Sequence, residues 1–391
     1  MAEAAGRRNR AGSLLSLLLP LLIGLGALAA IELGGIMAWL LVQPTATVLS
    51  GLVLLSSVVL LLSTSVAAQA DRVAELVGQP YGTLVLTGAV MTIELALVAS
   101  TMLTGEANPT LARDSMFSVV MIALTGVTGL CNVIAALRSR RISVSDRLDS
   151  SQLAAPNLLG ALTYFDLITT MCVLALVIPN FSRTTTEANF STPVNVVLSI
   201  VALGVYAVFL TAQIGRYSNL YIENDSILAS ADASDAVEAE QEDEGLSLGL
   251  ASILLVVGLL IVCLIAESMG KLIETGITDL GLPSSLAGVL VALLILAPEA
   301  LNAVQAASHG EVQRSINTLY GSVVATVSLT VPAVLVLGEI THTDVILGLE
   351  PFEMVLLALT LMLVYPHARL TGIEGLMKIV IFVFWILLQI A

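Results

Sequence analysis

The chain has 391 residues, 57% of them hydrophobic and 12% charged, with a formal net charge of -15. At a mean hydropathy of +0.98, that composition excludes a soluble globule and leaves a polytopic membrane protein. The apolar segments lack the alternating ten-residue pattern of an outer-membrane barrel, so helices must satisfy the backbone in lipid and the expected fold class is all-α.

Arg7, Arg8 and Arg10 precede a first apolar run, expected as a helix over 13–31. The same pattern with Ala27-Leu28-Ala29 also fits a cleavable signal peptide. Apolar stretches of about 20 residues then predict helices near 46–69, 82–104, 115–137, 156–179 and 193–215. A second group is expected near 246–266, 285–307, 315–338, 345–365 and 371–390, about eleven helices in all. Between the groups, nine of the thirty acidic residues fall between Glu223 and Glu244 with no Lys or Arg among them, the mark of a solvated linker. The expected organisation is an N-terminal basic segment and first helix (1–45), a five-helix unit (46–216), an acidic cytoplasmic linker (217–245) and a second five-helix unit (246–391).

Eleven helices place Arg7, Arg8, Arg10, Arg72, Arg138, Arg140, Arg141, Arg147, Arg216, Arg314 and Arg369 on one side, and only Arg113, Arg183 and Lys271 on the other. The positive-inside rule makes the first side cytoplasmic, with the N-terminus inside and the C-terminus outside. Cys131, Cys172 and Cys263 lie in apolar runs without metal-ligand spacing and read as packing residues.

Glu94 is the only charge in residues 76–105 besides those closing each end, and Glu299 stands equally alone in 280–308. A carboxylate at bilayer depth costs about 2.5–3.5 kcal/mol even on insertion scales, so it persists where it has a partner, a cavity or a task. The surroundings of the two glutamates echo each other. Pro80 and Pro283, Glu94 and Glu299, Arg113 and Arg314, and Ser118 and Ser322 are separated by 203, 205, 201 and 204 residues. Five helices in each copy force the second to run inverted relative to the first, the plan of many secondary transporters. Two repeat-related glutamates then predict one shared midplane ion site.

The stretches ADRVAELVGQPYGTLVLTGAVMTIELALVAS (70–100), PTLARDSMFSVVMIALTG (109–126), LVALLILAPEALNAV (290–304) and VQRSINTLYGSVVATVSLTVP (312–332) resemble the bacterial ChaA-type branch of the calcium/cation antiporter superfamily. The resemblance implies exchange of cytoplasmic Ca²⁺, and in this branch Na⁺ or K⁺, for external protons across a bacterial cytoplasmic membrane. It also implies that Glu94 and Glu299 bind the cation. Better-known calcium/proton exchangers carry Gly-Asn four and three residues before each glutamate, where this chain has Val90-Met91 and Ile295-Leu296. Two side-chain oxygens are thereby missing from the expected ligand set, which leaves room for monovalent ions.

Elementary electrostatics agrees with antiport. Two carboxylates facing each other in a low dielectric cannot both stay ionised without a cation, so either a cation or protons must occupy them. Hard cations want several oxygens. Ser118 and Ser322 are repeat-equivalent candidates for supporting ligands, and Thr87, Thr92, Asn302 and Thr326 are further ones. Pro298 breaks the hydrogen-bond ladder beside Glu299 and frees carbonyls near Leu294 and Ile295. Small polar residues of this kind also serve simply to let helices pack closely. Asp166 reads as a structural or helix-end acid, Glu350 and Glu353 as interfacial, with Glu353 able to guard the outer entrance, and His309, His342 and His367 as solvated. No HExxH, GxSxG, Walker or nucleic-acid signature is present, so no enzyme activity, nucleotide cofactor or nucleic-acid partner is expected. A passive cation channel is the alternative.

Overall fold

The computed structural model describes residues 18–78, 81–104, 109–146, 156–182, 188–215, 217–221, 247–367 and 371–390. Arg7, Arg8, Arg10, Pro80, Arg147, Arg183, Arg216, Arg369 and all but the start of the acidic linker lie outside them. Among the described residues, eight helices are long and apolar enough to cross a membrane. Three shorter apolar helices accompany them, at Leu18–Glu32, Thr87–Ser100 and Pro351–Val364. Helices occur where every apolar run predicts one.

In chain order the helices are α1 (Leu18–Glu32), α2 (Ile36–Leu40), α3 (Thr45–Val77), α4 (Tyr81–Thr104), α5 (Leu111–Met121), α6 (Thr128–Asp146), α7 (Leu158–Cys172) and α8 (Thr192–Ile214). They continue as α9 (Leu248–Leu280), α10 (Ser285–His309), α11 (Val312–Ala325), α12 (Val331–Thr341), α13 (Pro351–Val364) and α14 (Gly372–Ile390). Both α3 and α9 run for 33 residues, well past their apolar stretches. Their continuations, AAQADRVAELV and ESMGKLIETGITDL, contain no proline, and Ala, Glu, Leu and Lys propagate a helix readily. Each then stops at a glycine of positive φ, Gly78 at 75° and Gly281 at 62°, where an L side chain would be strained. Conversely, the helix expected from 345 starts only at Pro351. Residues 344–350 are extended, and a proline at the first helical position with a Glu350/Glu353 capping box fixes the later start.

Two long helices are interrupted by wide turns. Ile122–Val127 separates α5 from α6, and Thr326–Thr330 separates α11 from α12, both as π turns. From Ile122 to Thr326 is 204 residues, the same separation as Ser118 to Ser322, so the repeat read from sequence recurs as a backbone irregularity. Such single-turn π segments commonly mark functional positions in helices.

The chain forms two compact units, each drawing on both halves of the sequence: residues 1–108 with 246–298, and residues 109–245 with 299–391. In the first, α3, α4 and α9 pack on one another. The approach is close: a Cβ on Gly258 would lie 2.7 Å from Val66 Cγ2, and the Ser100 hydroxyl donates to the Ala266 carbonyl at 2.5 Å. In the second, α14 packs on α6 and the first π turn, α11 on α7, and α12 on α8. Its interior is closed by Trp385, Tyr164 and Phe117, all at most 1% exposed. Tyr164 stacks edge-on with Phe209, Tyr221 and Tyr320.

Candidate functional site

The first unit holds Glu94, Thr87, Thr92 and Pro298. Glu94 is only 2% exposed, in a helix with no other charge. Thr87 lies seven residues earlier, two turns back on the same face, and is half-buried. Thr92 is exposed, and its hydroxyl donates to the Gly88 carbonyl at 2.7 Å. The helix therefore groups Thr87 with Glu94 and turns Thr92 away. Pro298 sits inside α10, which remains helical on both sides of it. The proline removes one N–H from the ladder without ending the helix.

The second unit holds Glu299, Asn302, Ser118, Ser322 and Thr326. Glu299 is half-buried, and Asn302, one turn on, is exposed. Ser118 is 2% exposed and donates to the carbonyl of Asp114 at 2.6 Å. Ser322 is half-buried, and its carbonyl accepts from the N–H of Thr326, which opens the second π turn. Both serines thus lie four residues ahead of a π turn. Helix α5 packs on the second π turn and α11 on the first, so the two repeat-related helices meet reciprocally at their irregular segments. The turns are lined with buried hydroxyls: Thr125, Thr326, Ser328 and Thr330 are all 0–1% exposed. Thr128 reaches back five residues to the Ala123 carbonyl at 2.7 Å, and Thr125 bonds to the Met121 carbonyl. Hydroxyl bonds to preceding carbonyls bend helices.

Two buried charged groups escape the sequence reading. Glu353, expected at the interface, is 2% exposed and accepts from the Glu350 N–H at 3.1 Å and from Gln389 Nε2 at 3.4 Å. Near it, Arg113 Nε pairs with Asp114 Oδ1 at 2.8 Å, with both side chains buried. The other is Lys378, inside the last apolar helix and 3% exposed. Asn132 is satisfied when its nitrogen donates to the Thr128 carbonyl (3.2 Å) and its oxygen accepts from Lys378 Nζ (3.1 Å). A lone basic residue in GIEGLMKIVIFVFWILLQI was the available signal. Asp166 is exposed, as are His309, His342 and His367.

An all-helical membrane protein with a doubled helix pattern and a lone intramembrane glutamate in each copy belongs to the class of repeat-built transporters. The model of the sodium/calcium exchanger protein family matches residues 43–215 and 250–391, and the chain belongs to that family. It is 34% identical over 324 residues to y4hA of Sinorhizobium fredii, covering 82% of this chain and 83% of that protein. It is 31% identical over 300 residues to the sodium-potassium/proton antiporter ChaA of Escherichia coli, covering 76% of each. The fold is similar to that of native YfkE, with a TM-score of 0.64 at 17% identity over 95% of this chain and 99% of that one. The family expected from the sequence motifs is thus the one matched.

Proposed function

We propose that the protein is a secondary active antiporter exchanging cytoplasmic Ca²⁺, and also Na⁺ or K⁺, for external protons through Glu94 and Glu299. The observation that carries this reading is the burial of Glu94 at 2% exposure in an otherwise uncharged helix, with a repeat-related glutamate in the second half of a sodium/calcium exchanger family chain. A carboxylate so placed is held neutral by a proton or by a cation, and the two occupants exclude each other. Mutual exclusion with alternating access to the two sides gives exchange. The name of the Escherichia coli relative, a sodium-potassium/proton antiporter, and the Val90-Met91 and Ile295-Leu296 pairs support acceptance of monovalent cations. The arginine distribution supports a multi-pass protein of the bacterial cytoplasmic membrane with its N-terminus inside and its C-terminus outside.

Cation-induced collapse of an imposed pH gradient in proteoliposomes, with the membrane potential clamped, tests the proposal. Proton movement that follows Ca²⁺, Na⁺ or K⁺ addition is expected, and comparison with Mg²⁺ ranks the substrates. Cation flux without proton movement would instead establish a channel.

Ser118 and Ser322 are proposed as supporting ligands or as groups holding the ligands. Ser118→Ala and Ser322→Ala are each expected to weaken apparent cation affinity about three- to tenfold, the effect of one neutral hydrogen-bonding oxygen. Initial rates against cation concentration measure this, and an unchanged half-saturation would assign both serines to helix packing.

A further inference from the structure

The second unit fastens the starts of its two repeat-related helices by one plan and with opposite chemistry. At the 204-residue separation shared by the serines and the first residues of the π turns, Gln313 and Asn317 of α11 correspond to Pro109 and Arg113 at the start of α5. At α11, the Asn157 N–H donates to Gln313 Oε1 at 2.7 Å. Gln313 Nε2 donates to Asn317 Oδ1 at 2.8 Å, and Asn317 Nδ2 to the Tyr221 carbonyl at 2.5 Å. Every group in that set is neutral. At α5, the Ile346 N–H donates to the Pro109 carbonyl at 2.9 Å, and Arg113 Nη1 to the Gly348 carbonyl at 3.0 Å. Here the fastening is ionic.

The held segment is the extended stretch before α13. Gly348 N–H donates to the Ala188 carbonyl and Leu349 N–H to the Leu176 carbonyl, at 2.9 and 2.8 Å. The fit is tight, since a Cβ on Gly348 would lie 2.7 Å from Asn180 Nδ2 and from Ala188 Cβ. Arg113 is therefore the side chain that ties this segment to α5.

The charges around it do not balance. The guanidinium is 8% exposed, and it faces Asp114 at 4% and Glu353 at 2%. Arg113 and Asp114 both act electrostatically on Glu353, and Glu350 acts on Asp114. The other groups on the network are neutral: Thr110, whose hydroxyl donates to Asp114 Oδ2 at 3.0 Å, and Gln389 from α14. His342 and Asp344, on the same connection, and Glu350 are exposed. One cation thus serves two buried anions, and a surplus negative charge in a poorly hydrated place favours proton uptake. All four oxygens of Asp114 and Glu353 accept from donors, the arrangement of ionised carboxylates. Neutralising Asp114 would leave Arg113 without its anion, and neutralising Glu353 would weaken its hold on the Glu350 N–H and on Gln389. Either proton loosens the fastening.

We propose that Arg113, Asp114 and Glu353 form a pH-sensitive clasp, closed when both carboxylates are ionised and released by protonation, while the matching clasp at α11 is indifferent to pH. That the sensitive end faces outside the cell rests on the orientation proposed above, but the clasp itself does not. In that orientation, the protons that drive exchange also loosen the end of the protein they arrive from.

Amide hydrogen exchange of the full chain in lipid nanodiscs, corrected for the intrinsic rate at each pH, tests it. The Ile346, Gly348 and Leu349 amides should lose protection between neutral and mildly acidic pH, by up to about tenfold per pH unit for each proton taken up. The Asn157 amide should not change. Asp114→Asn should show the acid level of exchange already at neutral pH. Equal protection of the three amides at both pH values, or a matching change at Asn157, would overturn the clasp. The measurement uses no transport, so failure of the clasp and failure of the antiport reading are separately visible.

Discussion

Glu94→Gln and Glu299→Gln are each expected to abolish proton-coupled Ca²⁺ exchange while leaving the protein folded. Glutamine keeps the shape and removes the charge. One remaining carboxylate cannot neutralise a divalent ion, and a neutral amide cannot carry a proton across in its place. Loss of one charge-assisted ligand alone, at about 1.5–3 kcal/mol, weakens binding by roughly ten- to a hundredfold. The coupled rate should fall further, because protons lose their carrier as well. Stability should move the other way. An ionised carboxylate within the bilayer costs about 2.5–3.5 kcal/mol, so removing it is neutral or stabilising. The rise in Tm should be larger for Glu94→Gln, whose parent side chain is 2% exposed, than for Glu299→Gln, whose parent is half-buried. Flux in proteoliposomes and thermal unfolding of the same preparations give both readouts. Normal Ca²⁺ exchange by either variant would sink the paired-glutamate mechanism. Lost exchange accompanied by a large drop in Tm would make that glutamate structural.

The positions of the helices were legible because lipid leaves the backbone few choices, so an apolar run of sufficient length must be helical. The family and the two glutamates were legible because a charge in such a run is conspicuous. The helix ends were not. The long extensions of α3 and α9 carry ordinary polar residues, whose helical state depends on the absence of a stop before Gly78 and Gly281. The π turns were invisible for another reason: one extra residue in a helix leaves an unbroken apolar run looking the same. Their 204-residue spacing refines the repeat. It aligns Arg113 with Asn317, whereas the sequence echo set Arg113 against Arg314. The structure separates those arginines in kind, Arg113 being buried beside Asp114 and Arg314 being exposed and paired with Glu311 at 3.0 Å. Glu353 escaped because a capping glutamate before an apolar helix looks interfacial whether or not another helix covers it.

The crossing of α6 and α14 at Gly129 and Gly375 should be the packing contact in the second unit most sensitive to substitution. A Cβ on Gly129 would lie 2.8 Å from the Gly375 carbonyl oxygen and 3.1 Å from the Ile379 nitrogen. A Cβ on Gly375 would lie 2.7 Å from the Gly129 carbonyl oxygen and 2.9 Å from Val133 Cγ2. The obstacles are mainly backbone, so no rotamer change relieves them and the helices must part. Small residues that let backbones approach in this way are a principal source of helix association in membranes. Asn132 and Lys378 flank the crossing, and separating the helices would pull apart their 3.1 Å contact, leaving a buried ammonium without its acceptor. Overpacking costs about 1–3 kcal/mol and loss of a hydrogen bond to a buried charge about 1.5–3 kcal/mol more. Gly129→Val and Gly375→Val are therefore each expected to destabilise the protein by roughly 3–5 kcal/mol on these figures, seen as a marked fall in Tm or a loss of monodisperse protein. The two clashes are reciprocal, so one displacement of the helices relieves both. The double variant should consequently cost distinctly less than the sum of the singles, the signature of a shared contact in a double-mutant cycle. Additive losses would mean that each glycine is needed for a separate local reason and that the crossing is not the close contact described.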